Sequence, residues 1–155
     1  MYTIYTDGAT SGNGYEGAQG GWAWILLDEN ENIILKGCGH IDNATNNICE
    51  LVAVIDACRR ADFDKEYVVY SDSAYIINCY KDKWYKKWEL NGWLTSKRQP
   101  VANKELWEEL IYYFEKPNFH FMKVKGHADN KFNNMVDQMA VAAKSYIWGS
   151  GKVSG

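Results

Sequence analysis

The chain is poor in the features that mark several protein classes. Two prolines in 155 residues, with no polar or low-complexity tract, exclude a disordered or proline-rich protein. The longest apolar run is about eight residues, 20–27, too short to span a bilayer. The opening residues MYTIYTD lack a basic n-region, so no secretory signal is expected, and a cytoplasmic location with no membrane association follows. The four cysteines, Cys38, Cys49, Cys58 and Cys79, form no C-x-x-C pair. That argues against a zinc knuckle or thioredoxin-type motif and for reduced, mostly buried thiols.

What remains has the balance of an ordinary globular protein, 46% hydrophobic and 24% charged. At this length one domain buries most of its apolar surface. The expected division is a domain over 1–148 and a flexible tail over 149–155. The net charge of −3 conceals an asymmetry. Between Lys81 and Lys104 seven basic residues (Lys81, Lys83, Lys86, Lys87, Lys97, Arg98, Lys104) face Asp82 and Glu89, giving +5. The rest holds 10 basic and 18 acidic residues, or −8. A basic, tryptophan-rich stretch on an acidic chain suits a confined anion-binding surface, and it equally suits a solvated helical hairpin.

Residues 2–6 alternate as a strand, and the glycine-rich segment 8–21 reads as a turn. Residues 22–27 and 32–40 read as a hairpin around the polar turn at 28–32. Over 47–60 the apolar positions Ile48, Leu51, Val52, Ile55 and Cys58 take helical spacing. A short strand at 67–71 follows, then a helix at 74–81 and two helices within 84–115. A strand at 119–124 and an amphipathic helix at 133–146 complete an α/β domain with a mixed sheet. The histidines His40 and His120 fall within strands, where a structural role is expected.

Two strand-like runs echo one another: Tyr2-Thr-Ile-Tyr-Thr-Asp7 and Tyr67-Val-Val-Tyr-Ser-Asp72. If the strands are parallel neighbours, both aspartates converge at the carboxyl edge, where α/β folds gather ligands. Two close carboxylates need a shared proton or a cation. Hard oxygen donors favour Mg²⁺ or Mn²⁺. The plain alternative, which spacing alone favours, is that each aspartate caps a turn or helix. Glu50 is likewise ambiguous. It completes a capping box with Asn47, yet lies in line with Val54 and Ala57 beside the apolar stripe. Asp137, with Asn133, falls on a polar helix face.

Taken together, the motifs resemble type 1 ribonuclease H. They are Thr6-Asp7-Gly8, the run from Thr45 to Leu51, Ser71-Asp72-Ser73-x-Tyr75, the run from Val124 to Ala128, and Asn133-x3-Asp137-x2-Ala140. The middle, Trp84-x3-Trp88-x3-Gly92-Trp93 with Pro100-Val101-x-Asn103 and Leu106-Trp107, looks like that family's basic protrusion. Their order and spacing match over residues 2–146. The resemblance implies a ribonuclease H-like fold, a five-stranded mixed sheet flanked by helices. It implies a monomeric endonuclease that hydrolyses the RNA strand of RNA–DNA hybrids and leaves 5′-phosphate and 3′-hydroxyl ends.

The same resemblance implies two Mg²⁺ ions, replaceable by Mn²⁺, on Asp7, Glu50, Asp72 and Asp137. His127 would assist proton transfer or product release. Asn13, Thr45, Asn46 and Asn47 would contact the hybrid, as would the protrusion's Trp84, Lys86, Lys87, Trp88, Trp93, Lys97 and Arg98. Trp88 and Trp93 are expected to be the more exposed tryptophans, Trp84 and Trp107 partly core, and Trp22 and Trp24 sheet packing. Two departures, Ala74 for a glutamine and Ile48 for an arginine, bear on substrate preference. The competing readings are a DNA-acting enzyme of the same superfamily, with no need of the protrusion, and a non-catalytic hybrid-binding module, which would not need all four carboxylates.

Overall fold

A computed structural model describes residues 1–11, 18–61, 64–124 and 130–145. Asn13, His127 and the expected tail at 149–155 lie outside the described residues. Five strands form one sheet: β1 Tyr2–Thr10, β2 Gln19–Leu27, β3 Ile33–Asp42, β4 Tyr67–Ser71 and β5 Phe119–Lys123, in the order β3-β2-β1-β4-β5. β1, β2 and β3 pair antiparallel, and β4 and β5 extend the sheet in parallel from β1. The helices are α1 Asn46–Arg60, α2 Ala74–Asp82, α3 Trp84–Asn91, α4 Lys104–Phe114 and α5 Lys131–Ser145. None of the described helices is long and apolar enough to cross a membrane.

Alternation along the strands assigns the two faces of the sheet. Ile4, Trp24, Leu26 and Val69 join Leu51, Val54, Ile55 and Cys58 of α1 in the main core. Ile25 and Leu27 turn the other way, onto Phe132 and Val136 of α5. Coverage on both faces explains why 22–27 reads as an almost unbroken apolar run. The Trp24 indole N–H donates to Asp56 Oδ2 at 2.7 Å, which satisfies the polar edge of a fully buried ring.

The glycine-rich segment departs from expectation. β1 continues to Thr10 and β2 begins at Gln19, with Gly8 opposite Trp22 and Ala9 opposite Gly21. Two of its glycines serve close approach rather than a turn. A Cβ on Gly8 would stand 2.7 Å from both Cys49 C and Glu50 N, so α1 rests directly on β1. A Cβ on Gly21 would run into the backbone of α5 at Ala140 and Lys144. The two readings of Glu50 are also separated. Thr45 caps α1, its hydroxyl accepting from the Ile48 N–H at 3.1 Å, and Glu50 turns inward.

All four cysteines are free, with Cys49, Cys58 and Cys79 buried and Cys38 exposed. His40 fastens β3 to α5, its Nδ1 standing 2.8 Å from the Ala143 carbonyl. His120 lies 3.1 Å from Glu66 Oε1 on the surface of β5.

Candidate active site

The site begins with strand register. Tyr5 pairs with Tyr70 in the parallel β1–β4 ladder, and two residues further along each chain come Asp7 and Asp72. The Thr6 hydroxyl donates to the Tyr70 carbonyl at 2.9 Å and ties the two strand ends together. Ser71 Oγ accepts from the Ser73 N–H at 3.1 Å, and Ser73 caps α2. Asp72 is thus held at a fixed exit from the sheet, while a serine rather than Asp72 supplies the helix cap.

Gly8 then brings the start of α1 onto β1, which delivers Glu50 beside Asp7. Glu50 is 5% exposed, and its Oε1 is buried without a hydrogen-bond partner. Burial, with the negative charges of Asp7 and Asp72, pushes its carboxyl up to about 9. Burial likewise raises Asp7 to about 7, helped by a hydrogen bond from its protonated form to Asp137 and by the charges of Asp137 and Asp72. The Gly8 N–H opposes this by donating to Asp7 Oδ1 at 2.8 Å. Asp137 arrives from α5, which Phe132, Val136 and Ala140 seat on the sheet. Asp72 stays exposed, with its Oδ1 3.6 Å from Lys123 Nζ.

Four carboxylates from four elements therefore converge on one edge. Among the described residues, no three acidic, histidine or cysteine side chains are closed into a finished metal cage. The donor set nonetheless fits a divalent cation. It is all oxygen, burial and the neighbouring carboxylates raise Asp7 and Glu50 above the ordinary carboxylate range, and Glu50 Oε1 has no hydrogen-bond partner.

A family model described as RNase H matches residues 1–145. The chain belongs to the RNase H family. It is 43% identical over 137 residues to a ribonuclease H of Thermoanaerobacter pseudethanolicus, covering 88% of this chain and 85% of that one. It is 44% identical over 138 residues to one of Clostridium botulinum, covering 88% of this chain and 91% of that one. Among solved structures, LC9-RNase H1, a type 1 RNase H with the type 2 active-site motif, superposes with a TM-score of 0.74 at 25% identity, covering 92% of this chain and 71% of that one. LC11-RNase H1 in complex with RNA/DNA hybrid shares the fold at a TM-score of 0.66 and 22% identity, over 93% of this chain and 96% of that one.

Around the carboxylates, Thr45, Asn46 and Asn47 stand at the start of α1, with the two asparagines exposed and the threonine engaged in capping. A cavity of about 560 Å³ is lined by Tyr75, Trp84, Lys87, Trp88, Asn91 and Leu94 among others. Tyr75, one of its wall residues, lies in the first turn of α2, three residues after Asp72. Lys86 points elsewhere, pairing with Glu115 at 3.2 Å in a second cavity of about 480 Å³ that also holds Lys81 and Lys83. Lys97 and Arg98 are exposed in a turn closed by the Thr95 N–H donating to the Gln99 carbonyl at 2.7 Å.

Trp88 corrects an expectation. It is 7% exposed, packed 5.5 Å from Trp93 and edge-on to the fully buried Trp107 at 5.3 Å. Helical spacing turns it inward onto α4. Trp84 and Trp93 are half-buried, and Lys104 stands over the Trp93 ring. The sequence reading missed Lys123 as a site neighbour. Its position two residues past the inward-facing Phe121, at the carboxyl end of a parallel strand, was the available signal.

Proposed function

We propose that this protein is a divalent-metal-dependent endonuclease, acting as a monomer, that hydrolyses the RNA strand of RNA–DNA hybrids and leaves 5′-phosphate and 3′-hydroxyl ends. The carrying observation is the buried, partnerless Glu50 oxygen within a four-carboxylate cluster, where burial holds the Glu50 and Asp7 carboxyls well above the ordinary carboxylate range. Asp7, Glu50, Asp72 and Asp137 would hold two Mg²⁺ ions, or Mn²⁺. Such ions, when bound, activate water and neutralise the departing oxygen.

The chain's own residues do the rest. For a cation to bind, Asp7 and Glu50 would have to give up protons, which would couple binding to pH. Asp7 lies within β1, two residues past the end of its ladder with β4, and Asp72 directly follows β4, which limits how far the reacting groups can drift. Asn46 and Asn47, with Asn13, offer paired donors and acceptors to a shallow groove bearing 2′-hydroxyls, the feature that separates RNA from DNA. Thr45 fixes the helix end that presents them. The cavity bearing Trp84 and Lys87 suits the sugar-phosphate track of the other strand, and Lys97 and Arg98 extend it as exposed cations. His127 would carry a proton or assist product departure.

The test incubates labelled RNA–DNA hybrid, duplex DNA and duplex RNA with the protein, in Mg²⁺ and in chelator. Cleavage of the hybrid's RNA strand alone, and only with metal, is expected. Cleavage of duplex DNA, or full activity in chelator, would overturn the reading.

A further inference from the structure

Among the described residues, one cation reaches the acidic cluster. Lys123 ends β5, in register with Ser71 of β4. The Val124 N–H donates to the Ser71 carbonyl at 3.0 Å, which holds the two strand ends together. Asp72 follows Ser71, and the Lys123 ammonium stands 3.6 Å from Asp72 Oδ1. Among the described residues, no other cation pairs with any of the four carboxylates. Both side chains are about half exposed, at 50% and 59%.

We propose that Lys123 is a resident counter-ion of this cluster, occupying Asp72 when no metal is bound and setting how tightly the site takes a divalent cation. The inference rests on the metal-binding reading above and concerns this chain's regulation of it. An ammonium against Asp72 offsets part of the charge that four gathered carboxylates accumulate. For Asp72 to become a metal ligand, that pair must open. An exposed pair is weak, so a divalent ion displaces it readily, at a cost in affinity equal to the pair's strength. Once displaced, the ammonium would still be anchored at the end of β5, and its charge would oppose a cation held on Asp72. Lys123 is therefore a positioning residue that acts through Asp72. It makes the metal easier to lose as well as harder to gain.

The test titrates metal-free protein with Mg²⁺ and Mn²⁺, reading affinity by calorimetry and by the metal-induced rise in melting temperature. Wild type is compared with Lys123→Ala, Lys123→Arg and Lys36→Ala. Lys36 lies on β3, two strand positions from the strand of Asp7 and three from β4, about 10 and 14 Å by strand spacing, beyond a Debye length of about 8 Å at physiological salt. Lys123→Ala is expected to bind roughly two- to fivefold tighter, the range of an exposed ion pair. Lys123→Arg and Lys36→Ala should stay at the wild-type value. Unchanged or weaker binding by Lys123→Ala would overturn the proposal, as would equal tightening in Lys36→Ala, which would make it an effect of net charge. If neither wild type nor Lys123→Ala binds a divalent ion, the metal reading falls and this inference falls with it. That outcome is distinct from binding without a difference.

Discussion

Asp7 and Glu50 are held where negative charge is costly, and the cost has a sign in pH. Their folded-state values of about 7 and about 9 lie above the ordinary 3.8 and 4.5. The folded protein therefore binds more protons than the unfolded chain across that interval. The stability these groups contribute is complete below about pH 4 and is lost as pH rises through about 7 and then about 9. Calorimetric melting in chelator across pH 4–9 should show this contribution falling. Asp7→Asn should remove the part near 7 and raise the melting temperature at pH 8, by about 2–4 °C per kcal/mol of relieved strain. The same change should eliminate nearly all hydrolysis. A variant that melts lower than wild type at pH 8 in chelator would make Asp7 a structural cap.

At the scale of elements, what the sequence could reveal depended on whether its local pattern had a single cause. The strand at Tyr67–Ser71 and helix α1 follow clean periods, and both were legible. The segment at 8–21 was not, because glycine has two uses. A turn and a close helix approach demand the same residue, and only the positions of α1 and α5 show that Gly8 and Gly21 serve the second. Glu50 had the same double meaning: its spacing from Asn47 imitates a capping box, and the true cap, Thr45, is settled only by the hydroxyl accepting from Ile48. Trp88 was misjudged because helices α3 and α4 pack through their tryptophans. The correction changes what its removal should do. Trp88→Ala empties a core position and should cost about 3–5 kcal/mol of stability, read as a lower denaturant midpoint with or without hybrid. Trp84→Ala, half-buried at the cavity wall, should lose less stability and weaken hybrid binding instead.

Across the whole molecule, charge is sorted more finely than the sequence suggests. The +5 segment looks like one basic patch, but the fold divides it. Lys87 lines the cavity walled by Tyr75 and Trp84, while Lys81, Lys83 and Lys86 line the other cavity, where Glu115 already engages Lys86. Lys97 and Arg98 ride on an exposed turn between Leu94, itself in the Lys87 cavity, and Pro100, its bridge partner. A phosphate track along the Trp84 wall would meet Lys87 and, beyond it, Lys97 and Arg98, and would bypass Lys86. Each phosphate contact releases counterions, so its loss should flatten the log–log salt dependence of hybrid binding by about 0.7–0.9. Single alanine substitutions of Lys87, Lys97 and Arg98 should each raise KM and flatten the slope by about that amount, with kcat at saturating hybrid little changed. Lys86→Ala should leave both nearly at wild type, since its charge is spent on Glu115. Measured over a salt series, equal slopes for Lys86→Ala and Lys87→Ala would mean that the segment acts as one diffuse patch. A flattened slope for Lys87→Ala alone would place the second strand's backbone along the Trp84 wall.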